Sequence, residues 1–460
     1  MSSKQSMLTS LFIGGFLALL LQSTPVVCAE EVGSSSNSAH SIEEIKDWTV
    51  IVFMAADNDL RGFAARNIKQ MAAVGSNKFV NIVTHLDIRI SGNKKITRRY
   101  YIEKNRILHV NADDPLTQKM DSGDPETLIS CCAWAIKNYP ARNYALIFWN
   151  HGTGPLDPAG GRIINPTELF TFNPAINKFE LDRTIGFMDH IQAHDAQRGI
   201  CWDDSTGNYL TNQKLTAALA AIKERCLHGK KFSIIGFDAC LMSTLEIASH
   251  VKPYADVMVG SQEVELGTGW NYQRALGPFQ TNTVTPQEFA QNIVTTYGAT
   301  YANITNDYTQ SAIDLRDIAL LENNINTVAT MLITGLTQQA NNSVRNVIQA
   351  SRNKDFCTHF DEPSYLDMHH LYSNLYANVA HCSFANPADE VAFKTRLSEL
   401  LTEGMRLIKK SAVANIAGKN LRLAQGISLY FPERKIHYSY KKTAFALTNN
   451  WGNFLQQYLG

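Results

Sequence analysis

The chain has 460 residues, 45% of them hydrophobic and 18% charged, which is ample for a buried core and excludes a charge-rich disordered chain. Lysine plus arginine and aspartate plus glutamate balance at 42 each, and the resulting net charge of +0 argues against a nucleic-acid partner.

Residues 1–29 read as a secretory signal. Lys4 gives the basic start, the apolar run from Met7 to Leu21 is shorter than a typical membrane span, and Val27, Cys28 and Ala29 suit a cut after Ala29. Lipidation at Cys28 is the competing use, but Val27 stands where a Gly, Ala or Ser is expected. The expectation is an exported protein, secreted or periplasmic, with no stable membrane association after signal removal. Residues 30–46, with the run Ser34 to Ser38, read as a flexible linker.

From Trp48 the pattern alternates between strands and helices. Trp48 to Ala56 reads as a strand, Phe63 to Val74 as a helix, Val80 to Ile88 as a second strand and Arg99 to Glu103 as a more polar third. Asp57, Asn58 and Asp59 are assigned to capping the following helix, and Lys94, Lys95, Arg98 and Arg99 to a solvated loop or strand edge. Asp124 with Pro125 opens a helix to Asn138. The apolar strand Tyr144 to Trp149 ends in Asn150-His151-Gly152. A long, weakly periodic insertion, residues 153–199, carries Arg162, Lys178, Arg183 and Arg198. A helix from Thr211 to Cys226 precedes the buried strand Phe232 to Gly236, which runs into Asp238 and Cys240; a helix then starts at Leu241, and Asp256 to Gly260 is a further strand. Thr285 to Glu288 is a capping box. Beyond residue 300 come helices over 317–350 and 388–412 and a late strand over 426–431. The reading is an α/β domain over 47–300, with a mostly parallel sheet flanked by helices, and a C-terminal α/β domain or extension over 301–460.

Eight cysteines are present. With Cys28 in the signal and Cys240 set aside, the remaining six allow 15 pairings that the sequence does not choose between. There is no Cys-x-x-Cys and no His-Glu-x-x-His, so zinc chemistry has no support and no metal ligand is assigned.

Two strands that end in His-Gly and in Asp-Ala-Cys place a base and a thiol at the carboxyl edge of one sheet, where open parallel sheets bind ligands. His151 and Cys240 are therefore the candidate catalytic pair. A thiol at a helix start would have a lowered pKa. The backbone N–H groups of Gly152 and Cys240 would form the oxyanion hole of an acyl transfer.

Four segments carry a resemblance: Trp48 to Leu60, Phe148 to Gly152, Phe237 to Met242 and Gly260 to Tyr272. In this order they resemble the clostripain family of cysteine peptidases, in the clan of gingipains, legumains and caspases. The resemblance implies a caspase-like α/β core, a Cys-His dyad and hydrolysis of peptides or proteins after Arg or Lys; no third, orienting carboxylate is demanded. It places Asp238 as an acid of the first specificity pocket and Ser261, Gln262, Glu263 and Thr268 in the segment lining it. Where relatives often carry an acid between two glycines, this chain has the neutral Thr268, for which Glu263 and Glu265 could compensate. The resemblance also implies self-cleavage between the His and Cys segments. It requires no cofactor; calcium stimulation is a family trait, and no calcium loop is identifiable here. Two other readings stay open: a non-catalytic binding or adhesion protein of the same fold, and a thiol hydrolase of small amides.

Overall fold

The computed structural model describes residues 45–92, 94–113, 120–157, 169–184 and 199–460. The signal segment, most of the linker, and Arg162 and Arg198 of the insertion lie outside the described residues.

Nine strands form one sheet: β1 (Lys46–Ala56), β2 (Val80–Ser91), β3 (Lys94–Glu103), β4 (Arg106–His109), β5 (Ala141–Trp149), β6 (Phe232–Asp238), β7 (Ala255–Gly260), β8 (Thr309–Asp314) and β9 (Ala412–Ala417). Their order is β9-β8-β7-β6-β5-β1-β2-β3-β4. The central five, β7-β6-β5-β1-β2, are parallel. Antiparallel pairs extend them on each side, β8 and β9 beyond β7, and β3 and β4 beyond β2. The sheet is thus mixed, and two of its strands come from beyond residue 300. It is an α/β sheet flanked by helices, consistent with the fold of the caspase clan.

The central strands are apolar throughout because both faces are covered. Along β1, Ile51, Phe53 and Ala55 join one buried cluster, while Trp48, Val50, Val52, Met54 and Ala56 join the other. β5 divides the same way, with Leu146 and Phe148 on one face and Ala145, Ile147 and Trp149 on the other. The second face is covered by α1 (Arg61–Val74) and by a helix over Pro286–Tyr301, the first by α2 (Pro125–Asn138), α3 (Asn212–Arg225) and α4 (Leu245–Val251) together with helices from the C-terminal third.

Caps follow the sequence signals. Asp124 accepts the N–H of Glu126 at the start of α2. Thr285 and Glu288 form the capping box of the Pro286–Tyr301 helix. The helix expected over 317–350 is two, Ile318–Gln338 and Ser343–Arg352, because Asn341 and Asn342 between them take left-handed conformations (φ 50° and 56°) that stop a helix. The late strand is short, Ser428–Tyr430, and pairs with Tyr365–Asp367 rather than with the main sheet.

The expectation of a solvated Lys95 and Arg99 is corrected: both are buried. The hairpin of β2 and β3 turns Lys95 inward onto three aspartates, and Arg99 donates to Ser130 at 2.8 Å. All seven described cysteines are free thiols.

Candidate active site

The register of β5 and β6 builds the site. Trp149 pairs with Asp238, so His151 and Cys240 each lie two residues past the last paired position of adjacent parallel strands. Both line one cleft, together with Leu60, Asp238, Glu265 and Leu266. The cleft leaves about 20 Å3, room for a water and not for a long side chain.

His151 is buried, and its Nε2 lies 2.6 Å from Asp59 Oδ1. One imidazole nitrogen is thereby fixed by a carboxylate, and Nδ1 is the ring nitrogen on the opposite side. The Trp202 ring lies against the imidazole, with centroids 4.7 Å apart. Asn150 holds this corner together: its Nδ2 donates to the Ala55 carbonyl at 2.6 Å, and its Oδ1 accepts from Trp202 N at 3.0 Å.

The capping role expected of Asp57 and Asp59 is therefore corrected. Asn58 makes the local turn, accepting the Leu60 N–H at 3.0 Å, while Asp59 turns to His151 and Asp57 to Lys95 and Arg89. Asp59 was legible only through topology. β1 neighbours β5 with Met54 opposite Trp149, so the residues just past both strands share one sheet edge.

Cys240 departs from expectation. The helix after it begins at Leu245, capped by Thr244, and Leu241 is left-handed (φ 62°). The thiol does not sit at a helix N-terminus, and burial pushes its pKa up rather than down. The Glu265 N–H, 3.2 Å from Sγ, partly offsets this, while the carboxylates of Glu265, Asp361 and Glu263 add to it. In this state the thiol is held neutral. The loop following it is pinned by the distant segment 426–430: Ser243 Oγ donates to the Gly426 carbonyl at 2.7 Å, the Ser428 N–H to the Ser243 carbonyl at 2.9 Å, and the Tyr430 N–H to buried Glu246 at 3.0 Å.

Gly152 packs against this loop. A Cβ there would meet the Cys240 carbonyl oxygen at 2.5 Å and the Met242 side chain at 2.9 Å. Because the first obstacle is backbone, it cannot swing aside. Gly152→Ala is expected to push the His151 and Cys240 segments apart and to lower kcat on the order of a hundredfold, the cost of misplacing reacting groups by about 1 Å. Steady-state kinetics on the folded variant checks this; wild-type kcat would show that the two loops can yield.

Asp238, fully buried behind Cys240, accepts the Trp270 N–H at 2.9 Å and the Tyr272 hydroxyl at 2.8 Å. Burial raises its pKa to about 7 against those two bonds and its contact with Glu265. Glu265 is pushed well up by its own burial and then by Asp238. Both carboxyls are thereby held toward their protonated forms. Gly269, at φ 60°, lets the Gly267–Trp270 turn close on Asp238; a Cβ there would lie 2.6 Å from its Oδ1.

The other expected pocket residues are placed differently. Ser261 Oγ donates to the Glu263 carbonyl at 2.8 Å, and Gln262 Nε2 donates to Asp367 at 3.1 Å. Glu263 pairs with Arg183 at 2.9 Å. Thr268 Oγ1 shares a 2.7 Å hydrogen bond with the Tyr301 hydroxyl. None of the four is among the cleft-lining residues. They anchor the loop, and Glu265 supplies the second acid. No cluster of three or more His, Cys, Asp or Glu among the described residues is arranged to hold a metal ion.

The profile of the clostripain family matches residues 52–162 and 163–458, nearly the whole described chain. The chain belongs to the clostripain family. Clostripain of Hathewaya histolytica is 26% identical over 286 residues, 55% of this chain and 48% of that protein, so the chain spans about half the length of that curated relative. Among solved structures, a secreted C11 cysteine protease of Bacteroides thetaiotaomicron in complex with an irreversible peptide inhibitor is similar, with a TM-score of 0.56 and 18% identity over 88% of this chain and 99% of that one. An inactive zymogen C11 protease of Parabacteroides distasonis gives a TM-score of 0.54 and 19% identity over 88% and 99%. These two likenesses show the fold. Family membership fits the order of the four motifs along the chain and the neighbouring strand ends that carry His151 and Cys240.

Proposed function

We propose that this clostripain-family protein is an exported cysteine endopeptidase that cleaves after Arg or Lys. The observation that carries the reading is the register of β5 and β6, which delivers His151 and Cys240 to one cleft beside the acid pair Asp238 and Glu265. His151 Nδ1 takes the Cys240 proton as Sγ attacks the scissile carbonyl carbon. The C–N bond breaks as His151 returns that proton to the leaving amine, giving a thioester. A water then gives its proton to His151 and its oxygen to the acyl carbon, and the C–S bond breaks to restore the thiol. The Gly152 and Cys240 N–H groups face the oxyanion. Asp59 is a positioning residue that fixes the imidazole and supports its cationic form, so the pair works with a third member.

The cleft has room for a water only, so a basic residue enters as the lining side chains give way. A cation beside Asp238 favours its ionised form, so binding releases a proton wherever Asp238 is protonated. KM for arginyl substrates is expected to fall as pH rises through about 7, the value to which burial raises Asp238, and Asp238→Asn should remove this dependence. A KM flat from pH 6 to 8 in the wild type (roughly the range over which Asp238 would titrate) counts against a protonated Asp238.

Labelling with an arginyl peptidyl electrophile tests the whole reading. Mass spectrometry should place the adduct on Cys240 and find none on Cys240→Ala. An unlabelled wild type points to the binding-protein reading, and labelling by a small thiol reagent alone points to an amide hydrolase.

A further inference from the structure

Two residues before Asp59 the chain enters a buried set of charges. The Lys95 ammonium bonds the Asp203 carboxylate, lies 2.9 Å from Asp87 Oδ2 and 3.6 Å from Asp57 Oδ2. Asp57, Asp87 and Asp203 are buried, and so is Lys95. Among the described residues no hydrogen bond reaches the Asp57 carboxylate; Lys95 and Arg89 hold it, the latter at 3.4 Å. At these spacings, in a medium of low polarity, the three carboxylates repel strongly unless a cation stands among them.

This cage joins the two segments that touch His151. The Asp204 N–H donates to the Asp57 carbonyl at 2.8 Å, and Asn58 Nδ2 donates to the Trp202 carbonyl at 3.0 Å. One segment ends in Asp59, on the imidazole Nε2; the other carries Trp202, on the imidazole face. We infer that Lys95 is a positioning residue for His151: by bridging Asp57 and Asp203 it keeps Asp59 and Trp202 on the ring. Its effect on turnover rests on the peptidase reading; its effect on the ring does not.

Lys95→Ala is expected to lower kcat roughly tenfold to a hundredfold with KM changed by less than about twofold. Propylammonium should restore part of the lost kcat saturably, and propanol should not. In a cycle with Asp59→Asn, Lys95→Ala should cost less than it does in the wild type, because the route through Asp59 is already cut and only that through Trp202 remains. A readout without substrate is the downfield ring N–H proton of His151, identified by its loss in Asp59→Asn. It should vanish in Lys95→Ala and return with propylammonium. Should Lys95→Ala not fold, Lys95→Met with Asp87→Asn keeps the net charge of the cage while removing the bridge, and the same losses are expected. A folded variant that keeps both the resonance and kcat, or one whose kcat loss is equal in the Asp59→Asn background, overturns the inference. A wild type with the resonance but no turnover would instead sink the peptidase reading and leave the inference to be decided by the resonance.

Discussion

Cys240→Ala is expected to bring hydrolysis of arginyl peptides below about a thousandth of the wild-type rate, in line with the loss when one member of a catalytic set is removed. Among the described residues lining the cleft that holds His151, Sγ is the sole thiol and no other side chain is a comparable nucleophile. The substitution should leave the fold intact. Alanine keeps the Cβ and removes the acceptor for the Glu265 N–H and a long S–H contact to the Glu265 carbonyl, a cost of about 1–3 kcal/mol. Should the wild type cut itself after a basic residue between residues 153 and 199, the same variant should stay in one piece. Lys178 and Arg183 are the described basic residues there, the latter tethered to Glu263 at 2.9 Å. Activity assays on purified protein, with intact-mass measurement, decide both points. Residual turnover above that bound would remove Cys240 as nucleophile.

Asp238→Asn should have the next largest effect. It should lower kcat/KM for Arg substrates by about a hundredfold or more and affect a neutral residue in that pocket far less. A buried carboxylate facing a guanidinium makes charge-assisted bonds, and removing one charge of such a pair costs about 3–5 kcal/mol. At about 1.4 kcal/mol per tenfold this exceeds two decades. Asn keeps an oxygen for the Trp270 N–H but loses the second acceptor used by Tyr272, so some of the effect will come from a loosened turn. Glu265→Gln separates the two contributions, because it removes a charge without touching those bonds. Profiling with a mixed peptide library checks the selectivity, and a wild-type preference for an acidic or small apolar residue would falsify the basic pocket whatever the fate of the Cys-His pair.

The central strands, both strand ends and the helix caps could be read from the sequence because each is a local signal. Val50 to Ala56 and Ile234 to Phe237 are apolar on both faces, and Asp124 and Thr285 are capping residues beside Pro. What could not be read is set by partners distant in sequence. Lys95 looks like a surface lysine until β3 folds back on β2 and meets Asp203, 108 residues further on. Asp59 looks like a cap until β1 lies beside β5. Glu265 and Thr268 are three residues apart, and only the turn's geometry shows which one faces Asp238. The start of α4 was misjudged for a different reason: Leu241 to Thr244 has helical composition, but the left-handed Leu241 and the bonds to residues 426–428 hold it open.

The pinning of that loop from Gly426 to Tyr430 bears on when the site can form. A ribosome releases His151 and Cys240 long before residues 426–430, and the strand that closes the sheet beyond β8 is itself only reached at Ala412–Ala417. Until then β7 and β8 present an unfinished edge one and two strands from the nucleophile, and Ser243 lacks its bonds to Gly426 and Ser428. A partly made chain therefore carries both reacting side chains without the frame that aligns them. The order of synthesis makes alignment of the pair a late event, after residues 426–430 have emerged.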